Sequence, residues 1–257
     1  MLRPRIIPCL LVKGGALHKT VKFGEGKYVG DPLNAVRIFN EKEVDELIVV
    51  DIDATAQGRA PDYNLIRSLA AECRMPLCYG GGVTTVKQIE EIISLGVEKV
   101  ALSSSAVTNP ELVTAGAQRV GNQSIVVVMD VKKTTKGYEI FTRNASYATG
   151  LLPTDFARRM EEMGAGEIVI NSIDRDGTME GYDLELASQV RDVTTLPMTV
   201  LGGAKSMQDI AALVQKFGII GAAAGSLFVF KGVYRAVLIN YPNRADKDTI
   251  GRSAVSA

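Results

Sequence analysis

The chain has 257 residues, 46% of them hydrophobic, and its 29 basic and 29 acidic residues cancel. This neutrality argues against a general nucleic-acid or anionic-membrane surface, and apolar runs well under about 18 residues argue against a membrane-spanning helix. His18 is the single histidine, which speaks against a multi-histidine metal site or a Ser-His-Asp triad, so no metal and no cofactor is expected. Cys9, Cys73 and Cys78 are an odd, scattered set that reads as reduced core thiols of a cytoplasmic protein. The opening stretch Met1 to Pro8 lacks a hydrophobic run of signal-peptide length.

Short apolar runs alternate with amphipathic segments along the whole chain. The first strand is Arg5 to Val12, followed by a polar, Gly- and Lys-rich loop from Lys13 to Gly30. Asp31-Pro32 opens a helix, because Asp caps a helix N-terminus and Pro fits its first turn. The second strand, Glu46 to Ile52, leads through a loop ending at Pro61-Asp62 into a helix over Tyr63 to Glu72. The third, Pro76 to Tyr79, runs into Gly80-Gly81-Gly82, and a helix then extends from Thr84-Thr85 to Gly96. The fourth, Lys99 to Leu102, precedes Ser103-Ser104-Ser105 and a helix starting at Asn109-Pro110.

The fifth strand is Ser124 to Asp130, and Lys132 to Asn144 reads as a hairpin turning at Lys136-Gly137. A helix over Pro153 to Met163 leads to the sixth strand, Glu167 to Ser172, and another helix follows Tyr182-Asp183. The seventh strand, Pro197 to Leu201, ends in Gly202-Gly203, with a helix from about Ser206. The eighth, Ile219 to Ala224, ends in Gly225-Ser226. A last helix is expected over Gly232 to Asn240, before a frayed polar tail, residues 244–257.

A long internal repeat runs through this pattern. Asp53 and Asp174 lie 121 positions apart (174 − 53), and the same offset links Pro32 to Pro153, Glu46 to Glu167, Gly81-Gly82 to Gly202-Gly203, and Ser105 to Ser226. Eight strand–helix units in halves of four predict one α/β domain, a single (β/α)8 TIM-type barrel built from two half-barrel repeats, about 1–120 and 121–243. A doubly wound open sheet is the lesser alternative. In a barrel the active site lies in the loops after the strands.

Two Gly-rich loops at the repeat offset are candidate phosphate cradles: Gly81 and Gly82 in one half, Gly202 and Gly203 in the other. Bare backbone N–H groups at a helix start suit an anion. The neighbouring strands end in Ser103-Ser104 and Gly225-Ser226, whose hydroxyls suit the same phosphates. The expected ligand carries two separated phosphates. Asp130, after the fifth strand, is the leading acid–base candidate. Asp51, Asp53, Asp174 and Asp176 also follow strands; for Asp53 and Asp174, capping or backbone bonding is the stronger reading. Leu11 is the repeat-equivalent of Asp130. Lys13 and Lys19 read equally as phosphate ligands or solvated loop lysines. At the opposite end, Arg5, Glu46, Lys99 and Glu167 start four strands; on spacing alone they read as ordinary strand-start charges rather than an inward cluster.

Together these residues resemble the cyclase subunit of imidazole glycerol phosphate synthase over residues 3–240. The carriers are Arg5-Ile6-Ile7-Pro8-Cys9-Leu10, Gly80-Gly81-Gly82, Ser105-Ala106-Val107, Gly164-Ala165-Gly166-Glu167-Ile168 and, most specifically, Asp174-Arg175-Asp176-Gly177-Thr178 running on to Gly181-Tyr182-Asp183-Leu184. The resemblance implies a half-repeat barrel that binds a substrate with a phosphate at each end. Gly82 and Ser104 would hold one phosphate; Gly177, Gly203 and Ser226 would hold the other. It also implies a glutaminase subunit on the opposite face, delivering ammonia through a gate that matches Arg5, Glu46, Lys99 and Glu167 at all four positions. One of the family's two catalytic aspartates matches Asp130. The other falls on Leu11, and Ser103 replaces the family's asparagine after the fourth strand.

An intact gate beside an altered cyclase site is similar to the paralogues linked to bacterial surface polysaccharide, including O-antigen. Cys9-Leu10-Leu11-Val12, Arg74 to Gly82 and Leu227 to Gly232 carry that closer likeness. It implies an ammonia-channelling barrel in acetamidino-sugar formation, working with a glutaminase and a separate ATP-dependent amidotransferase. The alternatives are an active cyclase of histidine biosynthesis and a non-catalytic activator of the glutaminase.

Overall fold

The computed structural model describes residues 3–253. Eight parallel strands form its centre: β1 (Arg5–Lys13), β2 (Leu47–Asp51), β3 (Leu77–Gly80), β4 (Lys99–Leu102), β5 (Ile125–Thr134), β6 (Glu167–Ser172), β7 (Met198–Leu201) and β8 (Gly221–Ala224). Each pairs with the next, and β8 pairs with β1 through Arg5↔Gly221 to Pro8↔Ala224, so the sheet closes into a barrel. Strands such as Leu-Ile-Val-Val-Asp in β2 are near-continuous apolar runs because both faces are covered.

Helices α1 (Pro32–Glu41), α2 (Tyr63–Glu72), α3 (Val86–Ser94), α4 (Ser104–Thr108), α5 (Glu111–Val120), α6 (Pro153–Glu162), α7 (Leu184–Arg191), α8 (Met207–Phe217), α9 (Ser226–Val229) and α10 (Arg244–Ser253) follow in chain order. Local chemistry starts them as expected. Asp31 caps α1 with Pro32 in its first turn, and Asp62 accepts from the Asn64 and Leu65 N–H groups at α2. Thr85–Gln88 and Ser206–Asp209 form capping boxes at α3 and α8. One apolar cluster fills the space between barrel and helices. A smaller one, including Ile7, Cys9, Ile48, Cys78, Ala101, Val126, Val169 and Ala223, fills the barrel axis.

Besides the short helices α4 and α9, which start at the serines after two strands, the structure departs from the sequence expectations in three places. The loop after β1 contains two short strands, Ala16–Lys19 and Lys27–Gly30, which continue the sheet antiparallel from the end of β1. Gly232 to Asn240 is not a helix: Phe230–Lys231 pairs antiparallel with Ala236–Val237 around a turn. Gly232 supplies positive φ there, and the β-branched and aromatic residues Val233, Tyr234 and Val237 favour an extended hairpin over a helix. The polar tail is helical through Ser253. Asn243 and Asp246 bond reciprocally at its start, Lys247 pairs with Asp45, and Ile250 is buried. Residues 254–257 of that expected tail, and Met1 and Leu2, lie outside the described residues.

The repeat is visible as packing. A Cβ on Gly81 would overlap the carbonyl oxygen of Asp51, and a Cβ on Gly202 would lie 2.8 Å from that of Ser172. Each glycine therefore lets the loop press against the end of the preceding strand. Gly81 (φ +116°) and Gly137 (φ +112°) share the same left-handed strain, but a Cβ on Gly137 would meet nothing within 4 Å. We expect Gly81→Ala to cost about 2–4 kcal/mol and Gly137→Ala about 1–2 kcal/mol, since overlap adds to strain only at Gly81. Urea midpoints compare the two; equal losses would show that overlap plays no part.

Candidate active site

At the N-terminal mouth, four charged side chains close into a ring. Arg5 donates to Glu46 and, through Nη2, to Glu167 at 2.7 Å; Lys99 Nζ lies 2.8 Å from both glutamates. The strand starts place them. Arg5, Lys99 and Glu167 open β1, β4 and β6, while Glu46 directly precedes β2, and each points along the axis. Geometry thus makes them a cluster, where spacing alone favoured ordinary surface charges. Both glutamates are buried. Burial would push the Glu167 carboxyl up, but Arg5 and Lys99 outweigh it and hold it at about 2. Thr199, fully buried, donates to Glu167 at 2.6 Å and lies 3.5 Å from Arg5 Nη2. A Cβ at Gly221 would overlap its hydroxyl, so the small residue in β8 makes room for it. Sequence reading missed Thr199 because a threonine inside a strand carries no signal of a partner.

Above the ring, the axial apolar cluster includes two thiols. Burial raises Cys9 to about 12 and Cys78 well above its ordinary value, so this layer stays uncharged. It separates the ring from a cavity of about 230 Å³ at the C-terminal end of the strands.

Asp130 and Leu11, from opposite sides of the barrel, both line this cavity. Asp130 Oδ1 accepts from Asn171 Nδ2 at 2.9 Å and its Oδ2 from Ser103 Oγ at 3.2 Å. Burial pushes the carboxyl up, the two hydrogen bonds pull it back, and the Asp176 charge raises it further, leaving it at about 6. That is close to neutrality, as a group exchanging protons requires. Asn171 opposes Asp130 across adjacent strands, and Val50 opposes Leu11 in the other half. A polar pair in one half thus stands where the other has an apolar pair. The mismatch of Asn171 with Val50 at the repeat offset was the available signal for Asn171, and sequence reading did not use it.

Lys19, Asp51, Gly81, Gly82, Ser103, Ser104, Asp176 and Gly225 also line the cavity. Gly177, Gly202, Gly203 and Ser226 instead line an adjoining recess, shared with Lys19, Asp176 and Gly225. Several of these side chains already have partners. Lys19 Nζ lies 2.6 Å from Asp176, both buried, and Thr20 donates to the same carboxylate at 3.0 Å. Asp51 accepts from the Asp53 and Ala54 N–H groups and pairs with Arg59 at 3.3 Å, so it organises its own loop. Asp174 accepts from the Lys133 N–H at 2.8 Å, the backbone-bonding reading. Lys13, Asp53, Arg143 and Asn144 line the cavity as well. No helix among the described residues is long and apolar enough to cross a membrane.

Residues 5–235 match the protein family described as "Histidine biosynthesis protein". A Leptospira interrogans protein provisionally named imidazole glycerol phosphate synthase subunit HisF is 58% identical over 252 residues, 97% of this chain and 99% of that protein. A Vibrio vulnificus protein provisionally named as the hisF3 form of that subunit is 57% identical over 249 residues, 96% of each chain. The imidazole glycerol phosphate synthase subunit HisF of Alkaliphilus metalliredigens is 40% identical over 234 residues, 91% of this chain and 93% of that protein.

The raised Asp130 value makes a stability prediction. The folded protein holds this proton more tightly than the unfolded chain, so the contribution is full below about pH 4 and lost as pH rises through about 6. Asp130→Asn, which cannot ionise, should match the parent near pH 4 and exceed it by about 2–3 kcal/mol at pH 8. Thermal unfolding at both pH values checks this; a constant gap would sink it.

Proposed function

This chain belongs to the histidine biosynthesis protein family, and from that premise we propose that it is the ammonia-channelling barrel of a glutamine-dependent amidotransferase system. Within that system we assign it to acetamidino-sugar formation for bacterial surface polysaccharide. The observation that carries this reading is the complete Arg5–Glu46–Lys99–Glu167 ring on the same axis as a cavity in which Leu11 faces Asp130. The four charges supply a gate. Leucine cannot move a proton, so one of two expected acid–base groups is gone.

On this reading a glutaminase subunit docks at the N-terminal mouth and releases ammonia there. Ammonia passes when an ion pair of the ring opens. The uncharged layer of Ile7, Cys9, Cys78 and Ala101 then admits neutral ammonia and disfavours ammonium, whose desolvation is far more costly. A phosphorylated ligand spans the C-terminal face, one end at Gly81, Gly82, Ser103 and Ser104, the other at Gly177, Gly202, Gly203, Gly225 and Ser226. Lys19, Asp51 and Asp176 hold the loops that shape those ends. Asp130 is the remaining proton-transfer group. A separate ATP-dependent amidotransferase completes the nitrogen transfer.

A second reading is an active cyclase subunit of imidazole glycerol phosphate synthase, favoured by the position of Asp130 at about 6 between two hydrogen-bond donors. The names of the relatives, HisF subunits of that synthase and provisional for two of the three, are compatible with both readings.

An ammonia-dependent cyclase assay with the phosphoribulosyl-formimino substrate separates them. The first reading expects an inactive parent and measurable turnover in Leu11→Asp; efficient turnover by the parent establishes the second. For the gate, Arg5→Ala and Lys99→Ala should each lower the share of glutamine nitrogen reaching product, measured in the reconstituted complex with the fold verified by thermal unfolding. Unchanged coupling in both variants would remove the channel from the proposal.

A further inference from the structure

The hairpin that replaces the expected last helix carries Arg235 to the recess of the second half. Arg235 Nη2 donates to the Gly177 carbonyl at 2.7 Å and lies 3.5 Å from Ser226 Oγ. Gly177 and Ser226 both line the recess. The guanidinium stacks over Phe230 at 5.3 Å, with Lys27 Nζ over the same ring at 5.1 Å. Lys27 also donates to the Arg235 carbonyl at 3.0 Å, fixing the backbone that presents the side chain.

Three features of this placement are unfavourable. Arg235 sits at φ +49°, a conformation that costs a non-glycine residue about 1–2 kcal/mol. Its Nε is buried and has no hydrogen-bond partner. No carboxylate among the described residues pairs with its charge. The other cation at the recess, Lys19, is already committed to Asp176 at 2.6 Å. The recess holds only about 10 Å³, room for roughly one water, so an anion enters by displacing something. Arg235 is the side chain whose present bond, to a neutral carbonyl, is weaker than the one it would make to a phosphate.

We propose that Arg235 is the anion clamp of the second-half subsite, exchanging the Gly177 carbonyl for the oxygens of a terminal phosphate monoester. A guanidinium presents two parallel donors to such a group, which a lysine cannot. The inference deepens the proposed two-phosphate pocket and rests on it. The second-half end is then gripped by a guanidinium delivered from outside the barrel.

The test is binding of inorganic phosphate to the full chain, followed by calorimetry and 31P NMR, for the parent, Arg235→Gln, Arg235→Lys and Ser104→Ala. The expected result is two phosphate sites in the parent. Arg235→Gln should weaken one of them at least tenfold, Arg235→Lys should restore only part of the loss, and Ser104→Ala should weaken the other site. Thermal unfolding verifies the fold of each variant. Equal or tighter phosphate binding in Arg235→Gln, with two sites in the parent, overturns the clamp and leaves the pocket standing. A parent that binds no phosphate at either site overturns both.

Discussion

Strand alternation in a closed parallel barrel is the constraint on which everything else rests. Each strand sends every second side chain to the axis. Along β1 these are Arg5, Ile7, Cys9 and Leu11; along β5 they end in Val126, Val128 and Asp130. The axis is therefore a stack with a charged ring at the bottom, a neutral apolar layer in the middle and the cavity on top. A one-residue slip of any strand would send its ring member among the helices and its cavity residue into the outer core. Ring and cavity are set by the same register.

The ring is a costly construction. Desolvation of each buried ion costs several kcal/mol, and pairing offsets it only when every charge finds partners. Here each glutamate meets both cations, and Thr199 satisfies a further lone pair of Glu167. Buried ion pairs of this kind are weak evidence for stability, because apolar residues of similar volume would serve the fold as well. On the proposed function, their presence at the end of the axis opposite the cavity is explained by what must pass, or be held back, there.

The two halves share a backbone but not a chemistry. Gly81 and Gly202 press on the preceding strand ends in the same way. Yet Leu11 and Val50 are neighbours in one half where Asp130 and Asn171 are neighbours in the other. A carboxylate facing a leucine, held near neutrality by burial against two hydrogen bonds, is a different instrument from a facing pair of carboxylates. The hairpin bearing Arg235 adds to this imbalance, since its guanidinium bonds Gly177 of the second half while Lys27 of the first-half loop only holds its backbone.

The sequence by itself determined the barrel, the repeat and the strand–loop positions of the candidate residues, because those follow from local periodicity, capping and glycine chemistry. The family resemblance named the four ring residues, and Leu11 stood out because a repeat makes its own control. Only the tertiary structure decided which of those residues are free. Lys19 and Asp176, 157 positions apart, neutralise one another, and Asp51 turns inward to its own loop. Thr199 and Arg235 were invisible in the sequence because their partners come from other strands or from beyond the barrel, and Asn171 showed only as a mismatch with Val50 at the repeat offset. The segment 232–240 was misread because its β-branched and aromatic residues were given too little weight; pairing with Phe230–Lys231 and the contact of Lys27 with Arg235 complete the hairpin. Side-chain partnership across a closed barrel is a long-range property, and local pattern carries no record of it.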